Sequence, residues 1–303
     1  MKKKTTFLWL LFLLIFSLIT LANGEEKAEI IDGVVYGNYI VTDENIEEAK
    51  EIRQVKGDYL SIEGKEVYMP KLESVEGYLY LLEGRTELLD LPVLEEVGGI
   101  TIGYRSSDIL LEELYLPNLR RINGNLKVEY NYRNIKRIIL PCLEFIEGRI
   151  DIHENYDFEH LDLRSLKKVR RIMIYSNHSL RYINLDSLEE ADKISISSVN
   201  MDNFNLNNLK RTNSLSLTDS SYQNISLEKL SIINGLLVIV GNRNLKSIFA
   251  PELKKIGVNL KGVSIMASSN SKKPVLIKVN TIPECEGLVE EVEFVIIGKE
   301  KEG

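Results

Sequence analysis

The chain has 303 residues, with 45 acidic against 38 basic side chains and a formal net charge of −7. That acidic balance disfavours nucleic acid and anionic membrane surfaces as partners. Its length would suit one or two globular domains, but a repeat architecture needs no such division.

The N-terminus reads MKKKTTFLWLLFLLIFSLITLANGEE. Lys2, Lys3 and Lys4 precede an apolar run from Phe7 to Ala22, and small residues close it at Ala22-Asn23-Gly24. The pattern predicts a secretory signal over 1–24, cut after Gly24. An uncleaved anchor helix is the alternative, but the run from Phe7 to Ala22 falls short of a full span. No Cys follows the expected cut, against a lipoprotein, and the final GKEKEG lacks the apolar tail of a GPI signal. Without the three lysines of the signal, 35 basic residues face 45 acidic ones, a charge of −10. The sole Trp, Trp9, leaves with the signal, and all 14 Tyr remain.

Residues 25–62 are expected to form an N-terminal cap and a first coil. VVYGNYIVTDENIEEAKEI predicts a short strand, then a helix near Asp43–Lys50 with Thr42 or Asp43 as its cap. A repeat follows. LPVLEEVGGITI (91–102), LPNLRRINGNLKV (116–128) and LPCLEFIEGRIDI (140–152) share Leu-Pro-x-Leu, an aliphatic residue, a Gly and an alternating strand. Aligned on the second Leu, the series runs through Leu72, Leu94, Leu119, Leu143, Leu166, Leu188, Leu209, Leu230 and Leu253, with an earlier copy at Ile52. That makes ten copies at a nearly constant step, the signature of a repeat architecture.

Each unit carries two period-2 segments. The first places pairs such as Leu79 and Leu81, Ile100 and Ile102, or Ile150 and Ile152 inward. The second is an aliphatic-x-Leu motif, as in Leu114-Tyr115-Leu116 and Ile138-Ile139-Leu140. Gly57, Gly77, Gly99, Gly124, Gly148 and Gly235 sit where the first strand begins, and the expected reason is positive φ or a Cβ clash. Pro92, Pro117, Pro141 and Pro251 stiffen the corner after the second strand. Asn131, Asn155, Asn177, Asn200 and Asn242 follow the first strand, where an amide can bond the turn backbone. One such coil cannot bury its own apolar stripe, whereas stacked coils bury a continuous one. The predicted fold is therefore an all-β solenoid, a right-handed β-helix of about ten leucine-rich coils. The regular repeat spans 63–265, and 266–303 form a C-terminal cap and tail. There VLIKV predicts a strand and PECEGLVEEVEFVII a helix or helix-strand cover.

The repeat L-x-x-[IV]-x-G-x-[LI]-x-[IL], strongest from 69 to 197, resembles the receptor L-domain family, the leucine-rich β-helix of insulin- and EGF-receptor ectodomains. The strand-helix-strand at 34–62 and the closing IPECEGLVEEV resemble the family's caps. The resemblance implies a binding module and fixes no ligand, since the fold serves unrelated partners. Members often staple the first cap with a disulfide, but residues 25–60 hold no Cys. Cys142 and Cys285 lie about six coils apart, roughly 30 Å at the strand spacing, too far for a disulfide.

A search for chemistry gives little. His153, His160 and His178 read as surface polar residues without metal spacing, and no cofactor, metal or catalytic residue is expected. The acid pairs Glu95-Glu96, Glu112-Glu113, Glu189-Glu190 and Glu290-Glu291 fall at corners. Other coils place Arg120-Arg121, Lys167-Lys168, Lys210-Arg211 or Lys254-Lys255 there, so a salt-linked soluble edge outweighs a glycosidase pair. Asn177-His178-Ser179 and Asn224-Ile225-Ser226 are glycosylation sequons.

The sequence thus predicts an exported monomer, periplasmic, secreted or cell-surface, with no membrane span in the mature chain. It is expected to be non-catalytic, with a protein or surface glycan as partner. A glycan-binding or glycan-active β-helix protein and a purely structural spacer remain the alternatives. Outward strand positions change character along the coils, from Tyr and charge to Ser. The candidate binding face is Tyr78, Tyr80, Tyr104, Lys127, Glu129, Arg149, Asp151, His153, Arg171 and Tyr175, while Ser-rich coils from 193 to 218 would be inert.

Overall fold

A computed structural model describes residues 28–82, 85–103, 110–131, 134–257, 263–268, 275–285, 288–290 and 292–296. The expected signal peptide and Tyr104 lie outside the described residues.

The Leu-Pro-x-Leu motif is a four-residue turn. The amide of the second Leu donates to the carbonyl of the first, as in Leu94 to Leu91 at 3.4 Å and Leu143 to Leu140 at 3.2 Å, and the copy without Pro, Leu163-Arg164-Ser165-Leu166, makes the same bond at 3.0 Å. Pro at the second position suits that turn because its fixed φ matches the required one. Both leucines of each of these pairs point inward and are fully buried.

After the turn the chain enters a strand that bends once. Strands such as Ser74–Leu81, Glu96–Ile102, Phe145–His153, Lys168–Asn177 and Glu190–Val199 pair in parallel with their equivalents in the next coil. The ladder continues from Val34–Tyr36 to Glu284–Cys285 through twelve rungs. The ten repeats occupy ten of these, and one rung is added at each end. A second ladder joins the short strands Glu113–Tyr115, Arg137–Ile139, His160–Asp162 and Tyr182–Asn184. A further block starts at Asn203–Asn205. The ladder breaks where the link from Val199 to Phe204 is one position shorter than that from Asn177 to Ile183.

The expected inward pairs are buried throughout, from Leu79 and Leu81 to Leu237 and Ile239, all at most 1% exposed. So are Leu114, Ile138 and Leu161 of the second strand. Each such side chain contributes about 1.5–3 kcal/mol through burial. Because all belong to one cluster, no coil holds its core alone.

The glycines have a single cause. Gly57, Gly77, Gly124, Gly148 and Gly235 do not have positive φ. At Gly77 a Cβ would lie 2.0 Å from the carbonyl oxygen of Asp58 in the preceding coil, so backbone approach excludes any side chain. In the fourth rung the corresponding approach is made by Gly98, whose Cβ would lie 2.1 Å from Glu76 O, rather than by the predicted Gly99.

The far end of the strand turns on a left-handed residue. Tyr130, Glu154, Ser176, Ser198 and Asp219 take φ between 49° and 57°, and Gly241 takes 74°. The next residue points its side chain in. Asn131, Asn155 and Asn177 form a buried stack: Asn131 Nδ2 donates to Asn155 Oδ1 at 2.9 Å and Asn155 Nδ2 to Asn177 Oδ1 at 3.0 Å. Asn177 Nδ2 also donates to Ile152 O at 2.9 Å. The predicted Asn200 is not in this stack. It is exposed, and Val199 and Ser220 occupy the position before Asn242 resumes it, with Ser220 N donating to Asn242 Oδ1 at 3.1 Å.

Both ends differ from expectation in detail. The front edge is closed by a hairpin, Glu29–Ile31 against Val34–Tyr36, the one antiparallel pairing among the described strands. Asp32 and Gly33 make its turn at φ 49° and 76°, the left-handed pair that a two-residue hairpin requires. The helix is Ile46–Ala49, and its N-cap is Asn45 rather than Thr42 or Asp43. Asn45 Nδ2 donates to Ile40 O at 2.8 Å, while Asp43 Oδ1 accepts from Lys65 N of the next coil at 2.7 Å. At the back, Val275–Val279 is the predicted strand, but the expected helix is replaced by Glu284–Cys285, Leu288–Glu290 and Val292–Ile296. Alternation in VEEVEFVI follows the strand period, which overrides its helix-forming glutamates. Among the described residues no helix is long and apolar enough to cross a membrane. Cys142 and Cys285 are both unpaired, as their separation predicts.

Candidate binding face

Outward positions of the bent strand form three rows. Register places Tyr59, Tyr78 and Gly99 in one. Asn125 precedes the next strand, Leu126–Glu129, and Arg149, Arg171, Lys193 and Ser214 carry the row on. The second row runs Ser61, Tyr80, Thr101, Lys127, Asp151, Met173, Ser195 and Ser216. The third holds Glu129, His153, Tyr175, Ser197 and Thr218. The predicted residues other than Tyr104 therefore share one face, and all of these but Arg171 fall into two clusters.

The first cluster is aromatic. Tyr78 and Tyr80 stack at 5.6 Å between ring centres, and Tyr59 lies 5.7 Å from Tyr80. Tyr78 lies flat along the face because Gly99 has no side chain: a Cβ there would sit 2.4 Å from the Tyr78 ring. Its hydroxyl accepts from Asn125 Nδ2 at 3.4 Å. Partial burial pushes the Tyr80 phenol up, with Tyr78 and Asp58 adding to it. Tyr59 falls outside the predicted set, which starts at the coil of Leu72. The copy aligned on Ile52 does not find it, since a uniform step of 20 sets Tyr59 against the inward Leu79, and only a one-residue register shift after the Val55–Val75 pair brings it opposite Tyr78.

The second cluster is charged and packed. Arg149 Nε lies 3.2 Å from Asp151 Oδ2, and Lys127 Nζ lies 3.8 Å from Glu129 Oε1. His153 Nε2 lies 3.6 Å from Glu129 Oε1 and 3.9 Å from Asp151 Oδ1. The imidazole stacks on Tyr175 at 4.6 Å and 9°, and Tyr130 meets it edge-on at 5.0 Å and 90°. Asp151 and His153, expected as exposed contact groups, are 5% and 6% exposed. Neighbouring rungs stand close enough for Tyr175 and Tyr130 to cover them. Burial raises the Tyr175 phenol, and the Asp151 carboxylate adds to the rise. Arg171 is exposed and belongs to neither cluster.

Other histidines and acids sit elsewhere. His160 opens a second-ladder strand and stacks on Tyr182 at 4.2 Å, and burial lowers its pKa. His178 is exposed in a turn. Two of the predicted acid pairs are salt-linked, Glu112-Glu113 beside the second ladder and Glu189-Glu190 at the entry to the first strand. Glu112 pairs with Lys136 at 2.9 Å, Glu113 with Arg137 at 2.6 Å, Glu189 with Lys210 at 2.5 Å and Glu190 with Lys168 at 3.0 Å. Lys167 beside Glu144 and Lys210 beside Glu189 hold those carboxyls below the usual range. A depression of about 530 Å³ along the entry to the first strand is lined by both signs, including Arg121, Glu147, Lys168 and Glu190.

Residues 96–192 match the family model described as Receptor L domain. No curated protein and no solved structure matches the chain.

Proposed function

We propose that this chain, whose coils from residue 96 to 192 belong to the receptor L-domain family, is a non-catalytic exported recognition protein. It binds a protein ligand through the face that runs from Tyr59 to Tyr175. The carrying observation is the contrast along that face. Tyr59, Tyr78 and Tyr80 cluster in the early coils, with Tyr78 stacked on Tyr80, whereas the equivalent positions further on are Lys193, Ser195, Ser214 and Ser216. Tyr and Arg are the side chains that concentrate binding energy at interfaces, and small serines do not. The proposed setting is periplasmic, secreted or cell-surface, with the chain acting as a monomer.

The test has two steps. Partners captured from the organism's surface fraction are identified, and their affinity is measured for the native chain and two variants. Tyr80→Ser should weaken binding roughly tenfold or more, and Ser216→Tyr should leave it unchanged. Equal effects of the two would refute the assignment of this face. A glycan array run in parallel addresses the carbohydrate reading, which the stacked tyrosines favour because a sugar can lie on their rings. Sugar-selective binding lost in Tyr80→Ser would establish that reading instead.

A further inference from the structure

We propose that Glu129, Asp151 and His153 hold one divalent transition-metal cation on this face. Their donor atoms, one imidazole nitrogen and a carboxylate oxygen from each acid, all lie within 4.8 Å of one another. Register creates the arrangement. Glu129 and His153 are rung partners, and Asp151 is on the same side of the strand two positions before His153.

One buried atom sets this cluster apart from an ordinary group of acids. Asp151 Oδ1, on a side chain 7% exposed, has no hydrogen-bond partner. His153 Nδ1 has none either, and a cation on Nε2 leaves it so. Arg149 faces the other Asp151 oxygen, Oδ2, so Oδ1 is left towards His153. A neutral imidazole does not resolve this, because its Nε2 lies 3.6 and 3.9 Å from the two carboxylates, beyond hydrogen-bond reach. A cation between the three satisfies Oδ1, Nε2 and Glu129 Oε1 at once, with the imidazole proton on Nδ1.

The distances fit. Metal–ligand bonds of about 2.0–2.2 Å bring tetrahedral donors within roughly 3.3–3.6 Å of each other. Closure starts from 3.6 and 3.9 Å to the imidazole and from at most 4.8 Å between the two carboxylates, and the Glu129 side chain, 19% exposed, can supply it. Tyr175 and Tyr130 already fix the imidazole plane. One nitrogen and two oxygens select a zinc-like cation over calcium or magnesium, which prefer six or more oxygens. Three protein donors leave a coordination position for water or for a donor from a partner. Lys127 opposes binding, since its ammonium contacts the same Glu129 oxygen. Metal binding at this cluster is a property of the free chain and needs no partner.

The test uses the metal alone. The chain, stripped by chelator, is titrated with zinc chloride by calorimetry, and bound metal is counted after dialysis. About one equivalent is expected. His153→Gln and Asp151→Asn should each weaken zinc binding roughly tenfold or more, with circular dichroism unchanged. Lys127→Met should tighten it at least about threefold. Should a variant misfold, cobalt(II) added to the native chain gives an independent readout. Paramagnetic broadening should strike the ring protons of His153 before those of His160 and His178. No zinc uptake by the native chain would overturn the proposal. Uptake unaffected in folded His153→Gln, calcium binding as tight as zinc, or broadening confined to His178 would also overturn it.

Discussion

Replacing Asn155 by Ala tests whether the buried amide stack holds the coils in register. Asn155 donates through Nδ2 to Val128 O at 2.9 Å, to His153 O at 3.0 Å and to Asn177 Oδ1 at 3.0 Å. Its Oδ1 accepts from Asn131 N at 3.2 Å and from Asn131 Nδ2 at 2.9 Å. Tyr130 N also donates to His153 O at 3.2 Å, so that carbonyl keeps a partner. The group stranded by the substitution is chiefly Asn131 N, since Asn131 Nδ2 keeps Glu129 O at 3.2 Å and Ile102 O at 3.4 Å. Leaving that buried amide unpaired, with the loss of the amide bridge to Asn177, costs about 2–3 kcal/mol. Ser220→Ala strands one group, Val199 N, now 3.2 Å from Ser220 Oγ, and should cost about 1–2 kcal/mol. Asn200→Ala, at an exposed site, should change stability by no more than about 0.5 kcal/mol. Urea unfolding gives the order of the three, and amide exchange locates the damage, with Asn131 N accelerating most. A loss at Asn155 no larger than at Asn200 would refute the reasoning.

Close backbone approach, phenol burial and sequon exposure each carry an expectation of their own. Gly77→Ala must push its Cβ into Asp58 O of the preceding coil, so it should cost about 3 kcal/mol or more, whereas Glu76→Ala beside it should be near neutral in thermal unfolding. The Tyr39 phenol, buried and beside Glu48, is pushed up from 10.0 to about 12. The folded chain keeps a proton there that the unfolded chain has released, so this stability is complete below about pH 10 and is lost as pH rises through 12. Tyr39→Phe should flatten that alkaline loss in denaturation curves taken at successive pH values. Finally, Asn177 is fully buried, while Asn224 is exposed. Peptide mapping of the folded protein secreted from a glycosylating host should find sugar at Asn224 only.

The first strand is legible in the sequence because its pattern is local. Alternation fixes which of Leu79, Tyr80 and Leu81 face in, and a regular advance of one coil per repeat leaves no other way to bury them. The Leu-Pro-x-Leu turns and the salt-linked corner are legible for the same reason: each depends on residues a few positions apart or on one repeated column. The closing segment is not, because VEEVEFVI carries both helix-forming glutamates and a strand period, and pairing with Val275–Val279 decides between them. The metal-like cluster is invisible to a search for ligand spacing, since Glu129 and His153 belong to different coils and meet only as rung partners. The same holds for the burial of Asp151 and His153. Their outward position follows from alternation along one strand. Their burial follows from Tyr130 and Tyr175, whose placement depends on a left-handed corner and on the next coil. The period, the inward rows and the change from tyrosine to serine along the face are thus written in the linear chain. Which outward side chains meet is a property of the folded molecule alone, because contacts across rungs are set by register and bulges rather than by distance along the chain.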